Sequence, residues 1–117
     1  MEFLQLMEKR LSRRGMTIVT APDGQSALDI VTEAMKQPET MFQVVVMDVR
    51  MPGMDGLETL RHMKKIAPKL PVLLLTGHAS LGVAVQGMDL GAYDYMLKPV
   101  AINELIIKME EAVRAAA

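Results

Sequence analysis

The sequence predicts a single α/β domain built around a parallel β-sheet with helices on both faces. Amphipathic helical segments alternate with short apolar runs along all 117 residues, and the later apolar runs are not interrupted by polar residues. Continuous apolar runs are typical of parallel strands that helices cover on both sides. Alternation of strands with helices implies right-handed crossovers between the strands. One domain is also the commonest arrangement for about 100 to 150 residues.

The first part of the chain contains two predicted helices and two predicted strands. Apolar residues recur at helical spacing from Phe3 to Leu11, and cations followed by Gly15 end this first helix. The β-branched run at residues 16–20 predicts a strand. A second helix is marked by Ala27, Leu28, Val31 and Met35, and residues 44–47 form the next apolar run.

The second part of the chain continues the same alternation. Leu57, Leu60 and Met63 share one face of a third helix, which Pro68 follows. Residues 72–75 predict a strand, 80–90 a helix, 93–97 a strand and 102–115 the clearest amphipathic helix. The predicted order is therefore αβαβαβαβα. It opens on a helix, although a doubly wound domain normally opens on a strand.

The composition favours a folded, cytoplasmic protein. Half of the residues are hydrophobic, and 13 basic and 14 acidic residues give a net charge of −1. This balance provides no basic surface for nucleic acid, and no apolar run is long enough for a membrane helix. The sequence has no cysteine, which excludes disulfides and thiolate metal sites. We expect no direct contact with nucleic acid or membrane.

Three polar residues directly follow three consecutive apolar runs: Asp48, Thr76 and Lys98. Parallel strands bring all three to one edge of the sheet, where adjacent strands lie about 4.8 Å apart and where ligands of open α/β sheets bind. A carboxylate can attack phosphorus, a hydroxyl can bind a phosphoryl oxygen and an ammonium can offset its charge. Taken singly, Asp48 and Thr76 could begin turns and Lys98 could be a solvated loop residue. Their combination favours a phosphoryl site.

Three ordered motifs give the chain a specific resemblance. The segments VVVMDVRMPGMDGL, LLLTGH and YDYMLKP, which begin at Val44, Leu73 and Tyr93, resemble the receiver domains of two-component response regulators. The segment from Gly77 to Pro99 is most similar to receivers of nitrogen-regulator-type activators. The resemblance covers nearly the whole of residues 1–117 and implies a flavodoxin-like, doubly wound (βα)5 fold, as in the single-domain chemotaxis type, with strand order 2-1-3-4-5.

The resemblance also implies roles for individual residues. They are the phosphoacceptor Asp48, the switch hydroxyl Thr76, the phosphate-pairing Lys98, the switch aromatic Tyr95, the metal-ligating backbone carbonyl of Arg50, and Pro99 after a cis peptide bond. Asp48 would bind the metal as well. The Arg50 and His78 side chains match positions that tune the lifetime of the acyl phosphate. From the residues alone, Tyr95 can also be a half-buried strand aromatic.

One departure from the family concerns the start of the chain. Receivers open with a strand ending in two adjacent acidic residues, which bind Mg²⁺ together with the phosphoacceptor, and this sequence contains neither. Glu2 is the nearest carboxylate, but it lies on the first helix. We therefore expect a receiver fold without its first strand. Mg²⁺ is the expected cofactor, with impaired binding.

The leading functional hypothesis is a signalling module of a two-component phosphorelay, not an enzyme. A sensor histidine kinase or a phosphotransfer protein would phosphorylate Asp48 to an aspartyl phosphate, and the altered surface would bind an output protein or domain. The receiver would assist its own phosphoryl transfer and autodephosphorylation. The alternative is a pseudo-receiver that binds partners without phosphorylation, and a small hydrolase ranks last. A homodimer could form through exposed strand edges or through the last strand and its flanking helices.

Overall fold

The computed structural model describes residues 2–50 and 55–116. Its helices are α1 (Glu2–Arg13), α2 (Gly24–Ala34), α3 (Gly56–Ile66), α4 (Leu81–Asp89) and α5 (Ile102–Ala116). Its strands are β1 (Val45–Asp48), β2 (Val72–Thr76) and β3 (Asp94–Leu97), and short 3₁₀ turns span Pro38–Thr40 and His78–Ser80. Among these described residues, no helix is long and apolar enough to span a bilayer. The predicted α/β class and the alternation of strands with helices are confirmed from β1 onward.

The three strands form a parallel sheet in the order β1-β2-β3, so β2 is the central strand. All five residues of β2 are buried. Val72 and Leu74 pack on one face of the sheet, whereas Leu73 and Leu75 pack on the other. Because side chains alternate along a strand, an unbroken apolar sequence is what a strand with two covered faces requires.

The two faces of the sheet carry separate apolar clusters. One contains Leu28 of α2, Leu60 of α3 and Ala84 of α4. The other contains Leu11 of α1 and Leu105 of α5. The architecture is therefore three-layered, with α2, α3 and α4 on one side and α1 and α5 on the other. This arrangement leaves the ends of the strands open, and the predicted phosphoryl site lies at their carboxyl ends.

The strand predicted at residues 16–20 is wrong, because these residues form no strand in the structure. Their burial does alternate as in a strand, with Met16 and Ile18 packed against the second cluster and Thr17 and Val19 exposed. The Met16 N–H, however, bonds Leu11 O at 3.2 Å and closes the end of α1. In the described chain β1 forms its hydrogen-bonded ladder with β2 and not with residues 16–20. A strand exists only through its pairing, so an alternating pattern without an adjacent ladder remains extended chain.

Candidate functional site

Asp48 and Thr76 are the last residues of the neighbouring strands β1 and β2, whereas the sequence predicted that each would directly follow its strand. Asp48 pairs in register with Leu75, and Thr76 pairs with Leu97, so Lys98 is the first residue beyond β3. Three parallel strands therefore deliver the three polar residues to one edge. The Lys98 N–H is fixed there by a 2.8 Å bond to the carbonyl of Thr76.

The Lys98 ammonium contacts the Asp48 carboxylate across the end of the central strand, with Nζ against Oδ2. The Asp48 side chain is 34% exposed and that of Lys98 is 42% exposed, so the pair is open to solvent. The other carboxylate oxygen, Oδ1, accepts a 2.9 Å bond from the backbone N–H of Arg50. The carboxylate is thus held from two sides while its outer edge remains accessible to a reacting group.

Thr76 is fully buried, and its hydroxyl donates a 3.0 Å bond to the carbonyl of Gly77. The hydroxyl lies at the correct strand end but does not bond Asp48 in this conformation. Tyr95 is partly buried and packs against the apolar cluster formed with α2, α3 and α4. The peptide bond between Lys98 and Pro99 is cis. His78 is exposed on the 3₁₀ turn that follows Gly77.

The loop between β1 and α3 is only partly described, and residues 51–54 of the first sequence motif lie outside the described residues. Beyond that gap, Asp55 caps α3 by accepting a 2.8 Å bond from the Glu58 N–H. Ser80 is a residue that sequence reasoning missed: its hydroxyl accepts a 2.6 Å bond from Arg50 Nε. A serine at a helix start signals an N-cap, and no sequence pattern pairs it with an arginine 30 residues away.

Gly56, the first residue of α3, packs directly against the backbone that follows Asp48. A Cβ at this position would lie 2.6 Å from Val49 Cα and 2.7 Å from its carbonyl oxygen. Because the obstructing atoms are backbone, they cannot rotate away. The absence of a side chain at Gly56 therefore lets α3 begin close to the acceptor.

We predict that Gly56→Ala destabilises the fold by about 1 to 3 kcal/mol, the usual cost of overpacking. Urea unfolding followed by circular dichroism measures the change. Gly82→Ala is the matched control, since Gly82 lies in α4 with nothing within 4 Å of the added Cβ. Alanine there should raise stability by about 0.5 to 1 kcal/mol. Equal unfolding midpoints for the two variants would contradict the packing argument.

The described residues do not by themselves fit a strong Mg²⁺ site. They contain no group of three or more Asp, Glu, His or Cys side chains able to hold a metal ion. Mg²⁺ prefers octahedral oxygen ligands and is usually bound through one or two carboxylates. At this edge Asp48 supplies the carboxylate, and both of its oxygens already contact donors.

Comparison with known proteins identifies the family. A family model for the response regulator receiver domain matches residues 1–110. The chain belongs to the response regulator receiver family. Receivers are regulatory modules that generally use Mg²⁺ and that interact with histidine kinases and output domains. The flavodoxin-like fold and the resemblance to nitrogen-regulator receivers are confirmed.

Curated relatives cover most of this receiver but are themselves longer. The DNA-binding transcriptional regulator NtrC of Escherichia coli is 38% identical over 108 residues, which are 92% of this chain and 22% of NtrC. The response regulator MprA of Mycolicibacterium vanbaalenii is 39% identical over 92% of this chain and 44% of its own length. The receiver thus spans less than half of the length of these relatives.

Solved receivers have the same fold. A receiver domain protein from Clostridium thermocellum is 34% identical with a TM-score of 0.88, over 97% of this chain and 87% of that one. The receiver domain of NtrX from Brucella abortus is 32% identical with a TM-score of 0.85, over 97% and 91% of the two chains.

Proposed function

We propose that this receiver accepts a phosphoryl group on Asp48 from a sensor histidine kinase or a phosphotransfer protein in the cytoplasm. The observation that carries the proposal is the contact of the Lys98 ammonium with the Asp48 carboxylate at the carboxyl edge of the sheet. This contact supports the proposal, because a lysine that spans the end of the central strand to reach a half-exposed carboxylate can also offset the charge of a phosphoryl group on that carboxylate. Family membership supports the same role.

The proposed reaction transfers phosphorus from a histidine nitrogen to a carboxylate oxygen. An oxygen of Asp48 forms a bond to phosphorus, the phosphorus–nitrogen bond breaks, and the imidazole leaves with the electron pair and takes up a proton. Positioning and charge matter more than covalent chemistry in such transfers. The Lys98 ammonium, which contacts the free carboxylate, would bind the phosphoryl oxygens once Asp48 is phosphorylated. The Thr76 hydroxyl would exchange its hydrogen bond to the Gly77 carbonyl for one to a phosphoryl oxygen.

The receiver would also take part in its own dephosphorylation. Water attacks phosphorus of the acyl phosphate, which regenerates the Asp48 carboxylate and releases inorganic phosphate. In this proposal the chain assists its own phosphoryl exchange without being an enzyme acting on another molecule. The Arg50 backbone carbonyl remains a proposed metal ligand, and Asp48 the proposed carboxylate ligand.

A pseudo-receiver that binds partners without phosphorylation is the second candidate function. The paucity of metal-ligating side chains among the described residues favours it, since no group of three or more lies together there. Incubation with acetyl phosphate and excess Mg²⁺, followed by intact mass, tests both candidates. The gain of one phosphoryl group supports the acceptor, whereas an unchanged mass supports the pseudo-receiver. Continuous phosphate release with turnover would indicate a hydrolase.

The proposed output surface consists of α4, β3 and α5. It carries several large apolar residues that are exposed: Val83, Val85, Met88, Leu97 and Ile107. Apolar side chains exposed on these elements supply area that a binding partner can cover. On the same elements Asp94 accepts a 2.9 Å bond from Lys108, which raises the pKa of the Lys108 ammonium and ties α5 to β3. NtrC is a DNA-binding transcriptional regulator, so the proposed partner of this surface is a further domain or a protein that controls transcription.

We predict that phosphorylation shifts amide resonances on this surface as well as beside Asp48. Thr76 adjoins Asp48 at the edge, and Tyr95 pairs in register with Leu74 of the same central strand. These two residues are therefore the proposed route from the acceptor to α4 and α5. Amide spectra recorded with and without an acyl-phosphate mimic would measure the shifts. Changes confined to the neighbours of Asp48 would contradict the proposed surface.

A further inference from the structure

A side-chain hydrogen bond joins the loop after the acceptor to the start of α4. Arg50 Nε donates to Ser80 Oγ at 2.6 Å. Arg50 is exposed, whereas Ser80 is only 4% exposed. The bond therefore runs from a solvent-facing cation to a hydroxyl that the fold holds in place.

Both ends of this bond are anchored in the phosphoryl site. The backbone N–H of Arg50 binds Asp48 Oδ1 at 2.9 Å. The backbone N–H of Ser80 binds the carbonyl of Gly77 at 3.0 Å, in the turn directly after Thr76. The Arg50 side chain consequently connects the loop that follows Asp48 with the turn that follows Thr76.

The Ser80 hydroxyl makes no capping hydrogen bond to the first turn of α4, although it stands at the N-cap position. Serine at that position ordinarily accepts a bond from a backbone N–H of the helix. Here the hydroxyl accepts from Arg50 instead. The side chain thus orients the arginine, and α4 begins as a continuation of the 3₁₀ turn.

The remaining donors of Arg50 suit a phosphoryl group. None of the ion pairs between described residues includes Arg50, and the Asp48 carboxylate is paired with Lys98. A guanidinium presents five N–H donors in a planar fork, which matches the oxygens of a phosphoryl group. Between described residues, Nε is the part of the guanidinium that forms a hydrogen bond, so the two terminal nitrogens can serve an anion that arrives on Asp48.

We propose that Ser80 is a positioning residue for phosphoryl retention. By holding Arg50 Nε, it fixes the terminal nitrogens at the acceptor edge, where they bind phosphoryl oxygens and obstruct the approach of hydrolytic water. Hydrolysis transfers the phosphoryl group from the Asp48 oxygen to water, so obstruction of that water prolongs the acyl phosphate. This inference rests on the proposed phosphorylation of Asp48.

Ser80→Ala is expected to shorten the lifetime of the acyl phosphate about two- to tenfold, the range that loss of one hydrogen bond predicts. The full chain is labelled with acetyl phosphate and Mg²⁺, the phosphodonor is removed, and intact mass follows the loss of the phosphoryl group. Ser80→Thr keeps the hydroxyl and should retain the long lifetime. A merely structural role of Ser80 predicts no such dependence on a hydroxyl.

The arginine side of the bond provides the second arm of the test. Arg50→Lys keeps the positive charge but removes the Nε donor, and because Arg50 is exposed this change leaves the core intact. The acyl phosphate of this variant should be at least as short-lived as that of Ser80→Ala, because lysine also lacks the terminal nitrogens, and adding Ser80→Ala to it should shorten the lifetime no further. Two results would overturn the inference while leaving the proposed function intact. One is an unchanged acyl-phosphate lifetime in Ser80→Ala. The other is that Ser80→Ala shortens the lifetime equally in the parent chain and in the Arg50→Lys variant. An unlabelled parent chain overturns both.

Discussion

Asp48→Asn is expected to abolish phosphoryl labelling of the receiver by acetyl phosphate. The amide of asparagine cannot form the acyl phosphate, because that reaction requires a carboxylate oxygen as nucleophile. Asp48 is also the aspartate at the end of a strand that contacts Lys98. Intact mass is recorded in excess Mg²⁺ for the parent chain and the variant, both extended at the N-terminus by a strand that ends in two aspartates. It should show one added phosphoryl group in the former and none in the latter.

The variant should remain folded, so that lost labelling reports chemistry. The Asp48–Lys98 pair is open to solvent, and ion pairs of this kind contribute about 0 to 1 kcal/mol to stability. Thermal melting monitored by circular dichroism should therefore change little. A large fall in melting temperature would show that the carboxylate has a structural role that its exposure does not suggest.

Two other aspartates serve as matched controls. Asp23 and Asp55 cap α2 and α3, each accepting a 2.8 Å bond from a backbone N–H. The Ser26 N–H lowers the pKa of Asp23, as expected for a carboxylate committed to a cap. Asparagine caps helices about as well as aspartate. Asp23→Asn and Asp55→Asn should thus fold and label normally, and labelling that persists in Asp48→Asn but disappears in either control would refute the assignment.

The sequence predicted the site edge because each strand is encoded locally. Residues 72–75 are uninterrupted apolar residues, which is typical of a strand covered on both faces, and the polar residue that follows is then expected at the carboxyl end of that strand. The same argument places Asp48 and Lys98. Their mutual contact was not predicted, because β2 lies between β1 and β3 and adjacent strands are about 4.8 Å apart, so the contact depends on the reach of the Lys98 side chain.

The remaining features depend on tertiary neighbours and had no local signal. The bond of Arg50 to Ser80 joins two loops whose relative position is set by α4 and the sheet. The close approach of Gly56 to Val49 is likewise visible only once α3 is docked. Residues 16–20 illustrate the opposite error: their β-branched run predicted a strand, and their burial does alternate, but they find no hydrogen-bonded partner strand in the described chain.

An added strand at the free edge of β1 is expected to have the largest effect on stability. In the described chain β1 pairs on one side with β2, and its residues Val45 and Val46 are only partly buried. Met16 and Ile18 face the second apolar cluster from an extended segment that no strand ladder holds. In the receiver strand order, a further strand between this segment and β1 would pair with both. An N-terminal extension encoding such a strand should therefore raise the melting temperature substantially.

The expected gain is large relative to the stability of a domain. Three or four large apolar side chains contribute about 1.5 to 3 kcal/mol each, or roughly 5 to 10 kcal/mol together. Whole domains are stable by about 5 to 15 kcal/mol. Denaturant unfolding of the two chains would measure the difference. Size-exclusion chromatography is a necessary companion, because an unpaired strand edge can also be satisfied by a second copy of the chain.

The same extension separates stability from metal binding when its two last residues are varied. A strand that ends in two adjacent aspartates should raise both the melting temperature and Mg²⁺ affinity, since it adds carboxylates beside Asp48, whereas a strand that ends in two asparagines should raise the melting temperature alone. The chain without an extension should bind Mg²⁺ weakly or undetectably in isothermal titration, in keeping with the absence of a cluster of metal-ligating side chains among its described residues. Equal Mg²⁺ affinity in all three chains would mean that Asp48, the carbonyl of Arg50 and water suffice to bind the ion. Equal melting temperatures of monomeric chains would mean that residues 16–20 and β1 are already stabilised without a strand between them.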